Sequence, residues 1–234
     1  MPDGTVKDQQ WWEDYFGPGG SWERNGGRRQ TRRFAEEFTK RLEVDPLGNF
    51  SILDAGCALG DAISHFSTVF PNASLYGIDF SETAIGRCRS ELKNVGHFDV
   101  ADIESIHGYY DIIYCSNTLE HFPDYENRAR TLARHCARLC ILVPYRELRE
   151  GRPLSPCPRE HHQHTFDLHS FSFLVDEGLA GSIRTFIFSC PGAWGWESPW
   201  KRRREALKNI FRPLLGRPKV MEPLQIFYDI KIGQ

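Results

Sequence analysis

The chain has 234 residues, 29 Lys plus Arg against 31 Asp plus Glu (net −2) and 40% hydrophobic residues. That balance excludes a uniformly basic nucleic-acid coat and an acidic disordered tail, and the length suits one domain that buries its core without disulfides or metal. No apolar run reaches the roughly 18 residues of a membrane span.

Residues 1–16 lack the basic and apolar regions of a secretory leader, and seven scattered cysteines read as free thiols in a reducing compartment, so a cytoplasmic protein is expected. Trp11, Trp12, Tyr15 and Phe16 form an aromatic cluster, followed by Arg24, Arg28, Arg29, Arg32 and Arg33, a set suited to clamping carboxylate or phosphate. Residues 51–55 read as a short buried strand ending in a Gly-rich turn, and 61–70 as a helix with Ile63, Phe66 and Phe70 on one face. Residues 74–78 form the second strand, after which Ser81 caps a helix that turns Ala84, Ile85 and Cys88 inward. Strands follow at 111–115 and 140–144, with a helix over 126–139 between them. A helix is predicted over 167–177, and strands at 184–189 and 225–232 close the domain. Strands alternating with helices in this way imply a doubly wound α/β sheet. Three stretches break the rhythm: the N-terminal segment 1–45, the Pro/His/Arg-rich 146–166, and 191–223. Long insertions in a compact domain are usually functional, so these are expected to build a lid on one single domain, 1–234.

The most informative segment is Asp54-Ala55-Gly56-Cys57-Ala58-Leu59-Gly60-Asp61, which follows a strand and opens a helix. Its glycines allow a ligand to approach the backbone. A dinucleotide site would carry G-x-G-x-x-G, whereas this loop is G-x-x-x-G, and Asp54 would repel a pyrophosphate. An acid there suits a cation such as an amino acid's ammonium group. Asp79 ends the second strand, where a carboxylate can accept from both ribose hydroxyls, and Asp102 at the next junction can accept from an adenine amine. An amino acid, a ribose and an adenine together describe S-adenosyl-L-methionine.

At residues 52–61, 77–81, 101–103 and 116–122 the sequence resembles the class I S-adenosylmethionine-dependent methyltransferases, over about residues 50–190. The resemblance implies a seven-stranded Rossmann-like sheet. It also implies that Gly56 holds the methionine part, Asp79 the ribose and Asp102 the adenine, with Cys57, Gly60, Phe80, Ile103 and Asn117 completing the cofactor site. A nicotinamide-dependent oxidoreductase and a catalytically inactive cofactor-binding protein are the rivals from other classes.

On the acceptor side, methyl transfer is an in-line displacement for which the protein aligns the acceptor and, for a hydroxyl, removes a proton. Asn117, Glu120 and His121 follow the fourth strand, and His121 is the candidate base. Leu119-Glu120-His121 is similar to the segment of ubiquinone-pathway and small-RNA 3′-end O-methyltransferases, some of which bind a divalent metal through Glu-x-x-Glu-His. Asn117 stands where the first acid would be, so no metal is expected, although His161, His162 or His164 could add an imidazole. Cys157, after Pro156, is a weak candidate for a nucleophile. In 191–224, eight bases (Lys201, Arg202, Arg203, Arg204, Lys208, Arg212, Arg217, Lys219) face three acids (Glu197, Glu205, Glu222). Leu207, Ile210, Phe211 and Leu214 there keep helical spacing. A lid helix packed on the domain is the leading reading, with anionic substrate or peripheral membrane-surface contact behind it. Nucleic acid is not expected. The expected reaction is O-methylation of a small-molecule or glycan-like acceptor, phosphate-bearing or lipid-linked forms included, with N-methylation as the alternative.

Overall fold

The computed structural model describes residues 9–146, 148–149, 152–153, 162–190, 203–204, 207–208, 210–216 and 224–233. Three N-terminal helices, α1 (Gln9–Phe16), α2 (Ser21–Arg24) and α3 (Gly27–Thr39), precede β1 (Ser51–Ala55). The chain then alternates through α4 (Asp61–Val69), β2 (Ser74–Asp79), α5 (Glu82–Glu91), β3 (His97–Val100) and β4 (Tyr110–Ser116). It continues with α6 (Tyr125–Arg134), β5 (Cys136–Tyr145), the single turn α7 (Phe173–Asp176), β6 (Ala180–Ser189) and β7 (Leu224–Ile232). These strands form one sheet of order β3-β2-β1-β4-β5-β7-β6, in which β7 runs antiparallel to both neighbours. The expected doubly wound seven-stranded architecture is therefore what the chain adopts.

Successive residues of a strand point to opposite faces, and here both faces are covered. Leu53, Ala55, Ile113 and Cys115 join Leu132, Phe166 and Phe171 on one side. Ile52, Ile112 and Tyr114 join Phe34, Phe38 and Phe66 on the other. Because β2 and β4 leave β1 on opposite sides, a crevice opens at the carboxyl ends of β1 and β4, where ligands of such sheets bind.

Two expected helices are shorter than the sequence pattern suggests. The one expected over 126–139 ends at Arg134, because Cys136 already pairs with Tyr110 on β4, and Arg138 reaches across to the buried Asp229 of β7 at 2.6 and 2.8 Å. The one expected over 167–177 is mostly turn. The Asp167 carboxylate accepts from the His169 N–H at 2.9 Å, and the Ser170 hydroxyl accepts from the Asp167 N–H at 2.8 Å. Such local side-chain bonds compete with helix and leave only Phe173–Asp176.

Candidate active site

The Gly-rich loop is shaped by backbone demands that few residues meet. Gly56 has φ +84°, and a Cβ there would lie 2.4 Å from Thr118 Oγ1, so only glycine fits between β1 and the turn after β4. The N–H groups of Gly56 and Cys57 both donate to the Ile78 carbonyl at 2.9 Å, which ties the loop to β2. Gly60, at φ +74°, opens α4. Ala58 and Asn117 are left-handed non-glycine residues, at φ 48° and 49°. Strained backbone of this kind tends to sit at ligand sites, and Ala58 is a participant that sequence reasoning missed.

Two carboxylates converge beside this loop. Asp79, 5% exposed, accepts from the Ala58 N–H at 2.9 Å and the Ser81 N–H at 3.0 Å, so it pins the loop to the start of α5. Burial outweighs these bonds and pushes its carboxyl up to about 6. Asp54, 2% exposed, has Oδ2 buried without a hydrogen-bond partner. Burial first, and then the Asp79 charge, drive its carboxyl well above the usual range. A pair of buried acids so strained toward protonation suits a ligand that brings positive charge.

The other expected cofactor residues divide by environment. Ile103 is buried under the site, and Phe80 lies with its ring 6.1 Å from that of Trp12. Cys57 belongs to the core rather than the crevice; its hydrogen bond with Cys88 and its burial hold the thiol far above the range of a nucleophile. Asp102 accepts from the Glu104 N–H at 2.8 Å and from Arg128 at 2.6 Å. Burial works against the Arg128 charge, but its bonds to Asp124 and Asp102 prevail and raise its pKa. Arg128 thus positions Asp102, a role with no local signature because α6 brings it from 26 residues away. Asn117 donates its backbone N–H to Leu142, and its Oδ1 is buried without a partner.

A second cluster gathers around His121, the candidate base. Its ring centroid lies 5.4 Å from Trp12 of α1 and 5.0 Å from His162. Glu120 is fully buried, and its Oε1 is 4.0 Å from His162 Nε2. Ligand atoms of Glu120, His121 and His162 lie within 4.8 Å of one another, a spacing that could hold a metal ion. Gln163 locks this arrangement, since its N–H donates to the Glu120 carbonyl at 2.7 Å and its side chain to the His121 carbonyl at 2.9 Å. His164 instead packs on Tyr125, with ring centroids 4.6 Å apart. Cys157 and His161 lie outside the described residues.

The N-terminal aromatics reach the site through α1. Phe16 is buried against Ala58, Leu59 and Ala84, with Trp12, Tyr15 and Trp22 around it. Glu13 fastens the helix by accepting from Ser81 Oγ and the Glu82 and Thr83 N–H groups at 2.8–3.0 Å. Desolvation opposes its charge, but these bonds win and lower its pKa. Among the arginines that follow, Arg28 and Arg33 are held in ion pairs. Arg28 pairs with Glu23, Asp61 and Glu91, and Arg33 with Glu36.

The chain is similar to known methyltransferases in sequence and in fold. Malonyl-(acyl-carrier protein) O-methyltransferase of Bacillus anthracis is 34% identical over 118 residues, covering 48% of this chain and 44% of that protein. Ubiquinone biosynthesis O-methyltransferase of Aromatoleum aromaticum is 37% identical over 121 residues, covering 44% of this chain and 49% of that protein. The chain thus spans under half the length of these curated relatives. The crystal structure of magnesium protoporphyrin IX methyltransferase from Synechocystis PCC 6803 with bound S-adenosylmethionine superposes with a TM-score of 0.57 at 18% identity, over 95% of this chain and 90% of that one. A family model described as a methyltransferase domain matches residues 27–177, which hold the Gly-rich loop, both buried carboxylates and His121. The chain belongs to that methyltransferase family, and its fold is that of the class I S-adenosylmethionine-dependent enzymes.

Proposed function

We propose that this protein is an S-adenosylmethionine-dependent methyltransferase acting on an oxygen of a small-molecule or glycan-like acceptor, phosphate-bearing or lipid-linked acceptors included. The observation that carries the reading is the convergence of the buried Asp54 and Asp79 on a loop whose left-handed Gly56, packed against Thr118, no larger residue can replace. In this reading Asp54 takes the cofactor's ammonium group, Asp79 the ribose hydroxyls and Asp102 the adenine amine, with Gly56 lying under the methionine part. The ammonium group's positive charge favours the ionised form of Asp54. When bound, the cofactor supplies an electrophilic methyl group on a sulfonium. His121 accepts the proton of the acceptor hydroxyl, and the Trp12 indole beside it keeps water from the acceptor. The names of the two O-methyltransferase relatives support oxygen over nitrogen. The unpartnered Asp54 oxygen is a poor neighbour for a pyrophosphate, which counts against a nicotinamide cofactor. The six described cysteines are free thiols, which supports a reducing, cytoplasmic setting.

A second reading is favoured by one observation, the clustering of Glu120, His121 and His162. There, the three side chains would hold a divalent cation, which would supply Lewis-acid lowering of the acceptor hydroxyl's pKa, and His121 would be a ligand rather than a base. The two readings separate in one assay, transfer of a labelled methyl group from S-adenosylmethionine to a panel of phenols, carboxylates and sugar phosphates. The base reading expects turnover indifferent to a chelator and His121→Ala slower by about a hundredfold. Turnover abolished by the chelator and restored by added cation supports the metal reading. Transfer to amines alone removes the oxygen assignment, and binding without turnover leaves a cofactor-binding protein.

A further inference from the structure

We propose that the described residues of the segment from Arg203 to Leu215 (203–204, 207–208 and 210–215) form a docking face for an anionic lipid bilayer. Leu207, Ile210, Phe211, Leu214 and Leu215 are 60%, 64%, 58%, 79% and 69% exposed. Eleven large apolar side chains are exposed among the described residues, and five of them fall between Leu207 and Leu215. Soluble surfaces scatter such residues singly, so a run of this density needs an occupant. The sequence expectation of a lid helix with its apolar face packed on the domain does not describe these five side chains.

Their spacing and surroundings identify the occupant. Residues 203–204, 207–208 and 210–211 are helical, and a 3-10 turn, Pro213–Leu215, follows and stops at Gly216 with φ +65°. On a helix, 207, 210, 211 and 214 share one face. Arg204, Lys208 and Arg212 fall along one flank of that face, and Arg203 lies one turn before Leu207 on it. Across 191–224 the eight bases and three acids leave a net +5, in a chain whose total is −2. An apolar stripe bordered by positive charge on an otherwise acidic protein is complementary to acidic headgroups over acyl chains. A second copy of the chain would supply apolar area without explaining the concentration of bases.

The insertion also stands at a meaningful place in the fold. Ser189, the last residue of β6, pairs with Leu224, the first of β7, and Leu224 pairs with Tyr145 at the end of β5. The segment therefore leaves and rejoins the sheet at the edge where the other parallel strands end and the candidate site lies. Docking through it turns that edge toward the bilayer, which suits an amphiphilic acceptor drawn from the lipid phase. The docking itself rests on this segment and not on the methyl-transfer reading.

The test is co-sedimentation of the full chain with vesicles. The expected result is binding to phosphatidylglycerol–phosphatidylcholine vesicles, little binding to phosphatidylcholine alone, and weakening by salt. Ile210→Glu with Phe211→Glu, both at exposed positions that the fold does not need, should lower binding at least tenfold with an unchanged melting temperature. Arg203→Gln with Arg204→Gln should flatten the salt dependence. Failure of the wild-type chain to bind anionic vesicles overturns the proposal, as does binding that the double Glu variant retains. If sedimentation instead reveals a dimer that the Glu variant dissolves, with no vesicle binding, a second copy is the occupant and the proposal falls.

Discussion

Asp79→Asn separates the cost of folding from the gain of binding. In the free protein the substitution removes a buried charge whose carboxyl is pushed up to about 6 from its ordinary 3.8. Relief of that burial is worth about 3 kcal/mol at pH 7. Against it, the amide keeps one acceptor, so one of the Ala58 and Ser81 N–H groups faces an NH₂ and loses roughly 1–3 kcal/mol. The two nearly cancel, and the variant should melt within a few degrees of wild type. The pH dependence should differ. A folded pKa raised above the unfolded one gives stability that is fully present below about 4 and lost as pH rises through about 6, and the variant should lack that contribution. Ligand binding should suffer much more, because bonds from ribose hydroxyls to a charged acceptor are worth roughly 1.5–3 kcal/mol each. A hundredfold weaker Kd is the expected outcome. At a hundredfold excess of S-adenosylhomocysteine over the wild-type Kd, wild type should gain about 2.7 kcal/mol and the variant about 0.4 kcal/mol. Thermal unfolding from pH 4 to 8, with and without the ligand, reads all three quantities. A variant that binds within threefold of wild type would refute the ribose role and leave Asp79 as a brace between loop and helix.

Gly56→Ala should destabilise the fold by at least about 2 kcal/mol, from the left-handed backbone plus the approach to Thr118, and Thr118→Gly should restore part of it in chemical denaturation. Glu13→Gln should lower stability by about 1 kcal/mol, since it weakens three bonds at the start of α5. Because the Glu13 pKa is lowered, that contribution is present above its ordinary 4.5 and lost as pH falls through the folded value, so wild type and variant should converge in acid. His121→Ala should leave S-adenosylhomocysteine affinity within about twofold while slowing turnover, which equilibrium binding and initial rates check together.

The Gly-rich loop and the acids beside it were legible because their determinants are local. Gly56, Asp54 and Asp79 sit at strand ends whose short buried runs announce themselves, and the left-handed turn at Gly56 has a residue-type signature. What escaped depends on contacts far apart in sequence. Arg128 meets Asp102 only when α6 packs beside the short turn at Ile103–Ser105. Of the three histidines the sequence offered as an added imidazole, which one joins Glu120 and His121 is decided by Gln163, whose bonds to their carbonyls bring in His162. Glu13 reads as one acid in an aromatic cluster until α1 crosses the start of α5. The helix expected to run to 139 failed for a related reason. Residues 136–139 satisfy both periodicities, and pairing of Cys136 with Tyr110 and of Arg138 with Asp229 decides for strand.

The most direct test of the account is a crystal structure with S-adenosylhomocysteine bound. The predicted result is one ligand in the crevice between β1 and β4, with its ammonium group on Asp54, its ribose hydroxyls on Asp79 and its sulfur facing the side of the crevice lined by His121 and Trp12. A ligand lying elsewhere, or one whose ribose avoids Asp79, would contradict it.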